Sequence, residues 1–228
     1  MFFYDYYYFI LVVPAILISL YAQMKVTGTY KKYAQVLSKS GKNATEITRM
    51  ILDKNGLQNV RIESVAGSLS DHYDPRANVI RLSDSVRGDV SVASIGVAAH
   101  EAGHAVQYAK GYTPIKLRNT ILPLANFGSK LSIPLILFGI LLSYEPLVTI
   151  GILAFSLVLL FQLVTLPVEF NASRRALATL SSYGILNSDE LKGAKKVLSA
   201  AAMTYVAAVI LSLAQILRLI LLNRRRRD

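Results

Sequence analysis

The chain has 228 residues, of which 53% are hydrophobic, with a mean hydropathy of +0.42 and a formal net charge of +11. This composition favours a membrane-embedded protein over a plain soluble globule. Cysteine is absent, which excludes disulfides, a thiolate metal site and a cysteine nucleophile, and neither a GxSxG serine-hydrolase elbow nor a Walker-type phosphate loop occurs.

The positive charge is scattered along the chain, apart from the run Arg224 to Arg227. Lys and Arg at the cytoplasmic ends of membrane spans explain such a distribution, so we expect a lipid bilayer as a partner and no nucleic acid. The terminal arginine run directly follows an apolar segment. It is therefore interpreted as an anchor to lipid headgroups.

The first predicted element is a membrane anchor over residues 1–24. Its start is rich in aromatic side chains, including Tyr6, Tyr7 and Tyr8, which suit the membrane interface. A cleaved signal peptide is the competing interpretation. It fits poorly because no Lys or Arg precedes the apolar stretch and no clear small-residue cleavage site comes before Lys25.

Residues 25–119 are predicted to form a small cytoplasmic α+β region. Helices are expected near 28–39 and at 44–55, the second with a capping sequence before it. Alternating side chains predict strands at 60–65 and 78–82. The second strand is also a candidate exposed edge that pairs with an extended substrate backbone, although an ordinary sheet strand explains the pattern equally well.

A helix at 91–108 carries the pattern HExxH in His100, Glu101 and His104. Positions i and i+4 share one helix face, so the two imidazoles can bind one metal ion, and Glu101 can act as general base toward the metal-bound water. An ordinary helix with two solvated histidines is the alternative. It is disfavoured because the surrounding helix is apolar, where unpaired polar groups are costly to bury.

Residues 120–167 are predicted to form a transmembrane hairpin with spans at 120–144 and 147–167. Pro134 is tolerated within a span because neighbouring helices can satisfy the freed carbonyl group. The last element, 200–228, combines an apolar helix with the basic tail. Gln215 and Arg218 interrupt that helix, and basic residues lie on both sides of it, so the sequence leaves open whether it fully crosses the membrane.

Between the hairpin and the last helix, residues 168–199 are predicted to be cytoplasmic and helical. Glu169 directly follows an apolar stretch, where a charged residue needs a reason. A catalytic zinc needs three protein ligands, and Glu169 starts a helix that the hairpin returns to the level of the HExxH helix. Glu169 is therefore the candidate third ligand, and an ion pair with Arg174 or Arg175 is the alternative.

Several motifs resemble known metallopeptidases. HExxH, two spans and then Glu169-Phe170-Asn171-Ala172 resemble the membrane gluzincin proteases, which include the HtpX-type heat-shock proteases and the CAAX prenyl proteases. A closer resemblance, to the YugP-like neutral zinc metallopeptidases, covers nearly the whole chain and is carried by residues 70–75, 98–99 and 197–205. It implies Zn2+ as cofactor, Glu101 as catalytic base and three zinc ligands: His100, His104 and Glu169.

One position departs from the HtpX-type glutamate motif, which commonly reads ExxAD. Ser173 stands where that motif has an Asp, which typically orients a zinc-bound histidine. A hydroxyl is a weaker partner than a carboxylate for an imidazole N–H. Asp71 and Asp74 are the alternative carboxylates for that role.

His72 is the one histidine outside HExxH. Three interpretations stay open: it stabilises the oxyanion of the tetrahedral intermediate, it replaces Glu169 as a metal ligand, or it is a structural turn residue. Tyr73, Arg174 and Arg175 are alternative oxyanion donors.

These features predict a mainly α membrane protein with about four transmembrane helices and a small cytoplasmic α+β zincin-like metallopeptidase unit. We expect a membrane-anchored zinc-dependent endopeptidase that cleaves a protein or peptide substrate by Glu-assisted attack of zinc-bound water. The positive-inside rule places its active site on the cytoplasmic face, and the resemblance implies a bacterial cytoplasmic membrane. A non-proteolytic membrane scaffold or chaperone with a metal-stabilised helix pair is the alternative.

Overall fold

The computed structural model describes residues 5–224. The first four residues of the predicted anchor and the arginines at 225–227 of the predicted headgroup anchor lie outside this range. Within it the chain forms seven α-helices, preceded by a short π-helix at Tyr8–Val12, and three strands. The helices are α1 (Val13–Tyr33), α2 (Ala44–Lys54), α3 (Asp84–Arg87), α4 (Val92–Ala109), α5 (Thr113–Leu141), α6 (Glu145–Ser182) and α7 (Ser188–Arg224), and the strands are β1 (Arg61–Val65), β2 (His72–Asp74) and β3 (Val79–Ser83).

The chain divides into two compact units. The helical unit comprises residues up to 23, 116–167 and 203 onward, and the mixed unit comprises Met24–Ile115 and Val168–Ala202. Four helices of the described residues are long and apolar enough to cross a membrane: Tyr8–Tyr33, Thr113–Leu141, Glu145–Ser182 and Ser188–Arg224. The mainly helical, four-span expectation agrees with this architecture.

In the helical unit, α5 and α6 form the predicted hairpin. The turn between them is short: Ser143 has φ +53°, and the Tyr144 N–H donates to the Gly139 carbonyl at 2.8 Å. A side-chain carbon at Gly139 would lie 2.7 Å from the Val148 nitrogen, so glycine permits the two helices to approach closely. Pro134 lies inside α5, which continues through it.

The last helix reaches the turn end of the helical unit. Leu219 packs with Ile136, Val148 and Ile152 beside the α5–α6 turn. One residue earlier, the buried Arg218 guanidinium donates to Asp5 Oδ2 from Nε at 2.9 Å and from Nη2 at 2.7 Å. The carboxylate neutralises a charge that would otherwise be costly to bury among apolar side chains. The end of α7 and the residues before α1 therefore lie at the same end of this unit.

In the mixed unit, the three strands have the order β1-β3-β2, with β1 parallel and β2 antiparallel to β3. The expectation that 78–82 forms an exposed edge is wrong, because β3 is the central strand. Four of its five residues are buried, and Arg81 is half-buried. The sequence did not predict β2, since three residues are too few to show a strand alternation.

The helix predicted near 28–39 is also wrong in its bounds. The helix that starts in the first apolar stretch continues to Tyr33, and Leu37 instead forms a β-bridge with Ser91. The predicted capping sequence before α2 is confirmed: Asn43 accepts from the Glu46 N–H, and the Glu46 side chain accepts from the Asn43 N–H. α2 buries its apolar face in the core around α4.

Candidate metal centre

The HExxH pattern lies in α4, which is buried along nearly its whole length. Ser91 caps the helix by accepting from the Ser94 N–H at 3.2 Å. Small side chains and glycines let neighbouring helices approach closely: Gly96 faces Ala194, and Gly103 faces the backbone of Ala172. This packing brings α6 alongside the face of α4 that carries the two histidines.

Three candidate ligands meet at this crossing. Glu169 Oε2 lies 3.3 Å from His100 Nε2 and 3.6 Å from His104 Nε2, and the ligand atoms of all three residues lie within 4.8 Å of one another. Bonds of about 2.0–2.2 Å to one tetrahedral zinc place ligand atoms roughly 3.3–3.6 Å apart. The donor types and the separations of Glu169 from the two histidines therefore fit one zinc ion.

The charges of this cluster also suit a cation. Burial lowers the pKa of His104, but the carboxylates of Glu169 and Glu101 outweigh it and raise that pKa overall. The two carboxylates thus favour positive charge at His104. A bound metal ion takes the place of a proton there, because metal binding to imidazole releases protons.

Glu169 lies in the interior of α6 rather than at the start of a helix, so that expectation is wrong. α6 is a single helix from Glu145 to Ser182, and Pro167 lies inside it without ending it. Glu169 contacts the two histidines, whereas Arg175 donates to Asn171 Oδ1 at 2.7 Å and Arg174 is exposed.

Glu101 is buried beside the candidate ligands, and burial raises the pKa of its carboxyl group. Its Oε2 accepts a hydrogen bond from the Tyr73 backbone N–H at 3.0 Å. Tyr73 belongs to the edge strand β2, and its ring packs edge-on against Tyr108 of α4 at 5.4 Å. A hydrogen bond to Glu101 therefore joins the edge strand β2 to α4.

Comparison with known proteins identifies the family. The chain matches the family described as "Putative neutral zinc metallopeptidase" over residues 8–224. The chain belongs to this family. It is also 45% identical over 218 residues to the "Putative membrane protease YugP" of Bacillus subtilis (strain 168), an alignment that covers 96% of this chain and 97% of that protein. No solved structure matches this chain significantly.

The resemblance to this metallopeptidase family is thus confirmed, and the structure shows what contacts the first histidine. Ser173 Oγ lies 3.1 Å from His100 Nδ1. Neither alternative carboxylate takes that place: Asp71 accepts from the Ser83 N–H and hydroxyl, and Asp74 pairs with Arg81 and accepts from two turn N–H groups. A hydroxyl occupies the position at which the HtpX-type motif has a carboxylate.

His72 lies outside the metal cluster. Its side chain is exposed, with Nδ1 2.8 Å from the Ser70 carbonyl and Nε2 3.4 Å from Arg81 Nη1. The ligand group found among the described residues consists of His100, His104 and Glu169. Of the other oxyanion candidates, Tyr73 donates its hydroxyl to Asn78.

One residue at the site was not predicted from the sequence. Gln107 is fully buried, and its Oε1 lies 3.0 Å from His104 Nδ1. The sequence feature that could have indicated it is a large polar side chain directly after the apolar residues Ala105 and Val106, one helical turn after His104.

Proposed function

We propose that this protein is a membrane-anchored zinc-dependent endopeptidase. In this proposal His100, His104 and Glu169 hold the zinc ion and Glu101 is the general base. The observation that carries it is the contact of Glu169 with both histidines of the motif, although Glu169 lies 65 positions after His104 in sequence. Family membership and the four candidate spans support the peptidase class and the membrane location.

The residues of the site divide the chemistry between them. A zinc ion bound there supplies Lewis-acid chemistry, lowering the pKa of a water molecule and polarising a peptide carbonyl. Glu101 takes the proton of the attacking water and delivers it to the leaving amine. The Tyr73 N–H holds one oxygen of that carboxylate, which restricts its rotation. Water attack followed by proton return breaks the peptide bond without a covalent enzyme intermediate.

His72 is the proposed oxyanion donor. It precedes Tyr73, whose backbone reaches Glu101, and its exposed ring is accessible to a substrate. The ring rests against the Ser70 carbonyl, so this role requires the side chain to rotate when substrate binds.

The proposed location of the site is the cytoplasmic face of the membrane. Lys25, Lys31 and Lys32 lie at the end of the first candidate span, beyond its apolar stretch, and further basic residues follow the apolar part of α6, whereas the α5–α6 turn has none. The positive-inside rule then assigns the turn to the outside. The scaffold alternative is less favoured, because structural zinc sites are usually closed by four ligands and this cluster offers three.

The test compares the purified full chain with Glu101→Gln and the control Glu190→Gln, which alters another buried glutamate of the mixed unit. Zinc content and cleavage of unfolded casein are measured. We expect Glu101→Gln to keep its zinc and lose several orders of magnitude in turnover, because a base is removed and no ligand. Glu190→Gln should cleave casein. Normal cleavage by Glu101→Gln would overturn the mechanism.

A further inference from the structure

We infer that Gln107 is a positioning residue that selects the tautomer of His104 and directs its Nε2 to the metal. The inference rests on the metal site of the proposed function and goes beyond it, since it concerns how a ligand is prepared. The evidence is a row of four hydrogen-bonded side chains: Arg175, Asn171, Gln107 and His104. Arg175 can only donate, and this fixes which atom donates and which accepts at each later contact in the row.

The first step fixes the amide of Asn171. Arg175 Nε donates to the Asn171 side chain at 2.7 Å, and a guanidinium has donors only. The atom that Asn171 presents is therefore its oxygen. Gln107 approaches the same atom at 3.0 Å and must donate to it through Nε2.

A second contact gives the same orientation for Gln107. Its Nε2 also lies 2.8 Å from the Val168 carbonyl oxygen, which can only accept. With its amide nitrogen facing two acceptors, Gln107 turns its Oε1 toward His104 Nδ1 at 3.0 Å. An amide oxygen only accepts, so Nδ1 of His104 must carry a proton. A neutral imidazole then has its lone pair on Nε2, the nitrogen that lies 3.6 Å from Glu169 Oε2.

The same side chain ties the two ligand-bearing helices together. Val168 directly precedes Glu169 in α6, so Gln107 hydrogen-bonds both a ligand on α4 and the backbone beside a ligand on α6. Full burial protects these bonds from competition with water. The tautomer of His100 is not selected in this way, because the Ser173 hydroxyl that contacts its Nδ1 can either donate or accept.

The test measures zinc affinity by competition with a chelator, on the purified full chain. Gln107→Met keeps the length of the side chain and removes its hydrogen bonds, and we expect a loss of affinity of roughly 10- to 100-fold, the usual effect of removing a partner of a ligating histidine. Gln107→Glu retains an acceptor for the His104 N–H. It loses the donor to the Val168 and Asn171 oxygens, so we expect its zinc affinity to fall below that of the wild type but to stay clearly above that of Gln107→Met.

The matched control is Thr48→Val, which removes a buried hydrogen bond to Ala44 in α2. We expect it to lower the thermal stability of the zinc-free protein without changing zinc affinity, whereas Gln107→Met changes affinity. Unchanged affinity in Gln107→Met, or an equal loss in Gln107→Glu, overturns the inference. The outcome is separable from the proposed function, because zinc binding without casein cleavage would overturn only the latter.

Discussion

Gly103 of α4 lies directly against Ala172 of α6: a side-chain carbon at position 103 would lie 2.9 Å from the Ala172 carbonyl oxygen. Real side-chain carbons essentially never approach a backbone atom so closely. Gly103 precedes His104, and Ala172 lies one turn after Glu169. This contact therefore sets the separation of the two helices at the point where the candidate ligands meet.

Gly103→Ala should destabilise the mixed unit and weaken zinc binding, because the two backbones must move apart. We expect a cost of about 1–3 kcal/mol from overpacking, partly offset by about 1 kcal/mol of helix propensity. Gly28→Ala is the control, since it also replaces a helical glycine but adds its carbon in open space. Thermal unfolding and zinc content measure both effects. Equal behaviour of the two variants would contradict the packing argument.

Glu169→Ala should lose both zinc and casein cleavage, because two imidazoles alone hold zinc poorly. His72→Ala should retain stoichiometric zinc, since His72 lies outside the ligand group. The zinc content of the two purified variants shows which residue is the third ligand. The opposite pattern, with zinc lost only in His72→Ala, would make the site a three-histidine centre.

Ser173→Ala should lower zinc affinity by up to about tenfold, because it removes the hydroxyl that contacts His100. Ser173→Asp should bind zinc at least as tightly as the wild type, because a carboxylate holds the His100 N–H more strongly than a hydroxyl. Ser182→Ala, at an exposed serine near the end of α6, is the control. Chelator competition measures all three affinities. If Ser173→Ala and Ser182→Ala bind zinc equally, the contact with His100 has no effect on the metal.

Removal of zinc by a chelator should lower the thermal stability of the protein, and added zinc should restore it. Ligand binding to the folded state alone stabilises by about 2.7 kcal/mol at a ligand concentration one hundred times the Kd. His100→Ala should show no such dependence, because it lacks a ligand. An equal zinc-dependent shift in that variant would place the stabilising metal elsewhere.

Single cysteines should report the crossings of the helices, since the chain has no native cysteine. Ser143→Cys and Arg224→Cys should both react with an impermeant thiol reagent in intact cells, because Leu219 packs with Val148 and so places the end of α7 beside the α5–α6 turn. Ser188→Cys should react only after lysis if the site faces the cytoplasm. Opposite labelling of positions 143 and 224 would mean that α7 does not cross.

The elements that the sequence predicted well depend on local patterns. Hydropathy identified four spans, the Asn43 and Glu46 side chains marked the start of α2, and HExxH placed two imidazoles on one face of α4. Each pattern involves residues that are neighbours along the chain. Their geometry follows from helix periodicity and capping, whatever the rest of the chain does.

Other features were decided only by tertiary structure. The sequence could not show that β3 is central, because β2 becomes a strand by pairing with it. It also left the partners of the histidines open: Ser173 reaches His100, and Gln107 reaches His104, rather than Asp71 or Asp74. These contacts depend on how α4 and α6 cross, and that crossing is set by close packing at Gly103 and Ala172. Sequence alone predicted the candidate ligands and the candidate base, because HExxH and a lone Glu after an apolar stretch are visible along the chain, whereas the packing of two distant helices decided which side chains contact them.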